Sequence, residues 1–173
     1  AIIDQFVIGD NSTRVSITIF DNSASLLQPL TADSALLDAA IDTFSPGGGT
    51  CISCGLTTGA ASIDAGNSRP GVPTAMLLLT DGEQTTGDAV AAAATVKAAG
   101  TELFAVGFGT GVSQATLDAI ASDPDSTYSV SGASLAALTY YFATTFCQAA
   151  TAPRVPPSPP SPPPAAPSPS ASP

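Results

Sequence analysis

The 173-residue chain carries 14 acidic residues against 4 basic ones, a formal net charge of −10. A surface this negative repels phosphate backbones, which excludes nucleic-acid binding and leaves cations or basic partners as compatible ligands. Histidine is absent, which removes Ser-His-Asp and Cys-His catalysis together with histidine-ligated zinc, and no apolar run reaches the roughly 18 residues of a membrane span.

The spacing of Ile2, Ile3, Phe6 and Val7 predicts the end of an amphipathic helix, stopped by Gly9-Asp10-Asn11-Ser12. From Arg14 to Phe20, Val15, Ile17 and Ile19 alternate with Arg14, Ser16 and Thr18, a strand pattern. Asp21-Asn22-Ser23 turns the chain, and Ala24 to Leu30 reads as a short edge strand ending near Pro29. Asp33 or Ser34 caps a helix carrying Leu36, Leu37, Ala40, Ile41 and Phe44. After the loop of Pro46 and three glycines, a helix of small residues is expected from about Cys51 to Ala65.

Val72 to Thr80 reads as a buried strand, Thr86 to Ala99 as an alanine-rich helix closed by Gly100, and Leu103 to Phe108 as a second buried strand. A helix over 113–121, a short strand over 127–130 and a final helix from Ala133 to Phe146 complete the pattern. Strands alternating with helices of this length predict an α/β, Rossmann-like doubly wound fold: a mostly parallel sheet with helices on both faces.

The run Leu77-Leu78-Leu79 ends abruptly on Thr80-Asp81-Gly82-Glu83. In an open α/β sheet that stop puts the carboxylate at the carboxyl edge of the strands, where ligands bind. Gly47-Gly48-Gly49-Thr50, some thirty residues upstream, offers a hydroxyl to the same edge. The bland alternative is that Asp81 and Thr50 only cap the helices that follow them.

In this order, Arg14 to Phe20, Gly48-Gly49-Thr50, Leu78-Leu79-Thr80-Asp81-Gly82-Glu83, Leu103 to Gly109 and Leu117 to Asp123 resemble the von Willebrand factor A domain over about residues 1–148. The resemblance implies that Thr50 and Asp81 belong to a metal-ion-dependent adhesion site (MIDAS). A hard cation, Mg²⁺ or Ca²⁺, would sit there among oxygen ligands and bridge to a partner carboxylate. It also implies an opening central strand ending in Asp-x-Ser-x-Ser, which supplies most of the ligands. No such strand occurs within the 173 residues, because Ala1 falls already in the helix after it. The sheet is therefore expected to lack its first central strand, and the metal site to be incomplete unless ligands lie upstream of Ala1.

Cys51-Ile52-Ser53-Cys54 stands at a helix start, where a thiol is activated, so a thiol oxidoreductase is one reading. The family resemblance, which is not to the thioredoxin type, favours a local structural disulfide instead, and Cys147 would then pair with a cysteine upstream of Ala1. Gly107-Phe108-Gly109-Thr110-Gly111 is a tight strand-to-helix turn without the spacing of a dinucleotide loop, and no Walker lysine follows Gly49-Thr50. Asp123-Pro124-Asp125 lacks the glycine and glutamate of a calcium loop and reads as a turn.

The division expected is an A-type domain over 1–149 and a Pro/Ser-rich stalk over 150–173. Residues Pro156, Pro157, Ser158, Pro159, Pro160, Ser161, Pro162, Pro163, Pro164, Pro167, Ser168 and Pro169 form Ser-Pro runs that dictate polyproline II. They resemble the extensin-type hydroxyproline-rich glycoproteins of plant and volvocine green-algal walls, which implies hydroxylated prolines and O-linked sugars. Asn11-Ser12-Thr13 is an N-glycosylation acceptor. Together these features predict a secreted, non-enzymatic structural or adhesive glycoprotein of a cell wall, matrix or flagellar surface fibre, its partners being other proteins of that layer. The alternative is an intracellular assembly module whose proline tail recruits SH3 or WW domains.

Overall fold

The computed structural model describes residues 3–45, 47–65, 69 and 71–131. The helix expected over 133–146, Cys147 and the proline-rich stalk lie outside these residues.

Among the described residues, five strands and five α-helices follow in the order β1 (Val15–Phe20), β2 (Ala24–Thr31), α1 (Ser34–Asp42), α2 (Ile52–Asp64), β3 (Thr74–Thr80), α3 (Ala89–Ala98), β4 (Thr101–Gly107), α4 (Gln114–Ile120), α5 (Asp125–Tyr128) and β5 (Ser129–Val130). β3, β4 and β5 form a parallel sheet; β1 and β2 form an antiparallel pair. Helices α2, α3 and α4 pack on one another in sequence, with α2 covering β1 and β2 while α3 and α4 cover β4. The core they enclose contains Ile52, Leu56, Leu78, Ala93, Val96, Leu103, Leu117 and Ile120. Helix α1 packs on β1 and β2. This is the doubly wound α/β class expected from the alternation of elements.

Four local expectations are corrected. The opening helix is only a 3-10 turn over Ile3–Gln5; Ile3 and Phe6 are half-buried, while Val7 is 76% exposed. β2 is longer than β1 and passes through Pro29, because the register slips between Val15↔Thr31 and Ile17↔Gln28 and the proline falls in the irregular stretch. α3 begins at Ala89, three residues later than expected, since Asp88 accepts from Ala91 N at 2.9 Å and so caps it. Thr127 and Tyr128 belong to the helical turn α5, not to a strand, and only Ser129–Val130 pair with β4. Tyr128 is drawn inward, its ring centroid 4.7 Å from that of Phe104.

The largest correction concerns β3. Its apolar run predicts a strand buried on both faces, and neighbouring β4 is such a strand. Yet within β3 only Leu78 and Thr80 are buried, and Leu79 is 36% exposed. Among the described residues, β3 and β1 each have a strand neighbour on one side only. The cleft of about 680 Å³ beside them is lined from both: Ile17, Ile19 and Phe20 of β1, Leu79 and Thr80 of β3.

β5 is fastened to α4 by polar groups. The Asp118 carboxylate accepts from Ser129 Oγ in a short contact and from Gln114 Nε2 at 2.6 Å. Ser129 first and Gln114 second hold this carboxyl below its ordinary value of 3.8, with a smaller desolvation effect opposing them. A depressed folded-state value stabilises above the unfolded value and is lost as pH falls through the folded one. Asp118→Asn should therefore be less stable than the parent at neutral pH, and urea melts of the two should converge as pH drops below 3.8.

Candidate functional site

The carboxyl ends of β1 and β3 open onto one rim. Asp21, directly after β1, and Asp81, directly after β3, line the same cleft, and Thr50 lines it from the loop before α2. The two residues singled out from the sequence are thus brought together. Thr50 is half-buried and Asp81 exposed.

Backbone and side-chain hydrogen bonds fix the three loops to each other. Cys51 N donates to Asp21 O at 2.6 Å and Gly49 N to Asn22 Oδ1 at 3.1 Å, which ties the Thr50 loop to the end of β1. Thr50 N donates to Thr85 Oγ1 at 3.0 Å while Thr85 N donates to Thr50 O at 2.9 Å, a reciprocal pair that ties it to the loop after β3. Thr80, 5% exposed, shapes the turn at Asp81: its hydroxyl donates to Gly82 O at 2.9 Å and accepts from Gly82 N at 3.3 Å. Gly82 is needed because a Cβ there would lie 2.8 Å from Thr50 Oγ1. The threonine hydroxyl is therefore pressed against the Asp81 turn.

Neither residue acts as the simple helix cap that was its bland alternative. Cys51 occupies the N-cap of α2 and Asp88 that of α3. Gln84 supplements the first, accepting from Ile52 N at 2.6 Å through Oε1. Asp21, Asn22, Gln84 and Thr85 were not legible as site residues, since each acts across 27 or more residues of chain.

Cys51 and Cys54 are joined by a disulfide across the first turn of α2. Asn11 is exposed in the turn before β1, at the end of that strand remote from Asp21. Arg69 braces the turn by donating to Asp10 O at 2.8 Å and to Ser12 O in a short contact.

The donor set at the rim is all oxygen, which suits a hard divalent cation. It is also too small for one. Among the described residues no three His, Cys, Asp or Glu side chains come close enough to share a metal, and an octahedral ion needs six ligands. Thr50 and Asp81 fit part of a cation's shell.

The family model for the von Willebrand factor type A domain matches residues 1–144. The chain belongs to that family. Solved structures agree with the assignment of this A domain. Proximal thread matrix protein 1 from the mussel byssus, with a zinc-occupied MIDAS motif, superposes with a TM-score of 0.73 at 25% identity over 84% of this chain, which spans 38% of the mussel chain. The type V pili tip protein Mfa5 of Porphyromonas gingivalis gives 0.71 at 13% identity, covering 89% of this chain and 87% of that one. Manganese-loaded TRAP protein of Plasmodium vivax gives 0.67 at 16% identity, covering 82% and 62%. At these lower identities the likeness speaks for the fold alone. No curated sequence matches the chain. Among the described residues no helix is long and apolar enough to cross a membrane.

Proposed function

We propose that this A domain is a non-enzymatic recognition module of an extracellular structural or adhesive glycoprotein, with the Thr50–Asp81 rim as its contact surface. The observation that carries the reading is the convergence of Asp21, Thr50 and Asp81 on one cleft at the carboxyl edge of the strands. Oxygen donors grouped there are suited to a divalent cation that shares a ligand with a partner carboxylate. The mussel thread-matrix protein, solved with a zinc-occupied MIDAS motif, lends support. Mg²⁺, Ca²⁺, Zn²⁺ and Mn²⁺ are all candidates, with the remaining ligands supplied from outside residues 1–173.

The same proposal accounts for the cleft between β1 and β3. A strand from a segment upstream of Ala1, ending in Asp-x-Ser-x-Ser, would pair with both free edges and bring its ligands to the rim. The hydroxyl oxygen of Thr18, buried beside the cleft without a hydrogen-bond partner among the described residues, is compatible with a further neighbour there. The 150–173 segment then serves as a stiff polyproline II stalk, hydroxylated and O-glycosylated, and Asn11 carries a glycan at the far end of the sheet from the rim.

Two measurements test this reading. Calorimetric titration of the 173-residue chain with Mg²⁺ or Mn²⁺ should give a dissociation constant weaker than about 1 mM. A chain extended by the upstream strand should bind at least about tenfold tighter, adhere to a carboxylated surface, and lose both properties on Asp81→Ala or on EDTA treatment. Tight stoichiometric binding by the short chain, abolished by Asp81→Ala, would overturn the incomplete site. Mass spectrometry of the protein from its natural source should find hydroxyproline between Pro156 and Pro169 and a glycan on Asn11. Unmodified residues at both would remove the extracellular stalk.

A further inference from the structure

The disulfide at the start of α2 lies against the loop that follows Asp81, and Ser53 stands between them. Ser53 Oγ is 3.5 Å from Cys51 Sγ, donates to Thr86 O at 3.5 Å and accepts from Gln84 Nε2 at 3.1 Å. Gly87 closes over it: with φ +82°, a Cβ there would lie only 2.2 Å from that hydroxyl. Gln84 Nε2 also donates to Thr86 O in a short contact, and Gln84, held by both acceptors, places Oε1 on Ile52 N. The two cysteines are unequally accessible. Cys51 is 1% exposed, whereas Cys54 is half-buried.

We infer that Cys54 is a thiol-exchange site, and that opening the Cys51–Cys54 bridge there is passed through Ser53 to the Gln84–Gly87 loop of the rim. The co-reactant is a small thiol of the glutathione class. Its thiolate attacks Cys54 Sγ, a new S–S bond forms as the protein's own breaks, and Cys51 Sγ leaves with the electron pair. That sulfur is received at the amino end of α2, where Cys54 N already donates to it at 3.3 Å. A second thiolate attacks the mixed disulfide, releases the oxidised small thiol and leaves Cys54 reduced. The two protons given up by the small thiols end on the two protein sulfurs.

The consequence follows from size and hydrogen bonding. Bonded sulfurs lie about 2 Å apart, and unbonded ones separate to about 4 Å. Cys51 is nearly fully buried, so the separation is taken up in the first turn of α2, which carries the half-buried Cys54. Ser53 then turns its hydroxyl from Thr86 O to the freed Cys51 sulfur. Gln84 loses one of the two acceptors of its Nε2 and keeps only Thr86 O, which weakens the hold of its Oε1 on Ile52 N. The bridged state holds the rim loop; the opened state releases it. That this alters recognition rests on the rim reading proposed above, but the release itself is measurable without any partner or metal.

The test is native-state hydrogen exchange on the full chain, untreated and after reduced glutathione, with peptide mapping of the adducts. Expected are a transient adduct on Cys54 and none on Cys51, then exchange at Ile52 and Thr85 faster by about tenfold or more, with β3 and β4 protection unchanged. In Ser53→Ala the sulfurs should still exchange with glutathione, while the loop becomes equally fast in both redox states. An adduct on Cys51 alone, a quantitatively reduced protein with unaltered loop exchange, or loss of protection throughout the strands would each overturn the inference. The last would make the bridge a staple of the whole fold. Absence of cation binding by the strand-completed chain would defeat the proposed rim function and leave this result standing.

Discussion

Phe104→Ala is expected to lower stability by about 4 kcal/mol, within the range for emptying a core aromatic site. The side chain is 0% exposed in β4, the middle strand of the parallel sheet, and packs against Tyr128. Removing it leaves a cavity that a strand held by ladders on both sides cannot collapse to fill. The loss is a large part of the 5–15 kcal/mol available to an ordinary domain. With an m-value of about 2 kcal/mol/M, the urea midpoint should fall by about 2 M. Phe104→Leu, which keeps most of the volume, should lose less than half as much. A shift below about 0.5 M for the alanine variant would mean that the β4 core is not close-packed.

Gly55→Val should be nearly as damaging, by the opposite mechanism. Gly55 is buried in α2, where a Cβ would meet Phe20 Cδ1 at 2.7 Å and Phe20 Cγ at 3.0 Å. Glycine normally weakens a helix interior by about 1 kcal/mol relative to alanine. Here its missing side chain lets α2 lie directly on the ring that ends β1. Valine forces the helix away, and overpacking of this kind costs about 3 kcal/mol. The displacement would also stretch the bond from Cys51 N to Asp21 O, so the rim should loosen with the core. Phe20→Leu in the valine background should recover more than about 1 kcal/mol, and a double-mutant cycle would read that coupling directly. Strict additivity of the two substitutions would show that the contact is not what requires glycine.

These two positions also mark the limit of reading a sequence. Phe104 announces itself, because Leu103-Phe104-Ala105-Val106 is a continuous apolar run between turn residues, and such a run must be buried. Gly55 does not. Nothing in Ser53-Cys54-Gly55-Leu56 says that an aromatic ring 35 residues upstream will press on it, since that contact exists only after α2 is laid on β1.

The candidate site divides in the same way. Thr50 and Asp81 were legible because each ends a local signal, a glycine loop or an apolar strand. Local signals depend on φ/ψ preference and periodicity, which neighbouring residues carry. Asn22, Gln84 and Thr85, which hold the Thr50 loop in place, are ordinary loop residues by composition.

The alternation of strands and helices, the doubly wound class and the acidic composition were therefore determined by the amino-acid sequence alone, whereas the choice of Asp33 over Ser34 as the cap of α1 was left to the structure, where Asp33 accepts from Ala35 N. The half-burial of β3, the passage of β2 through Pro29, the late start of α3 and the contact of Ser53 with the Gln84–Gly87 loop were decided by tertiary structure. The physical reason is one of range. Backbone propensity and hydrophobic period act over a few residues, whereas burial, register and cross-loop hydrogen bonds depend on which distant segment stands alongside. For β3, that depends on whether any strand stands alongside its free edge.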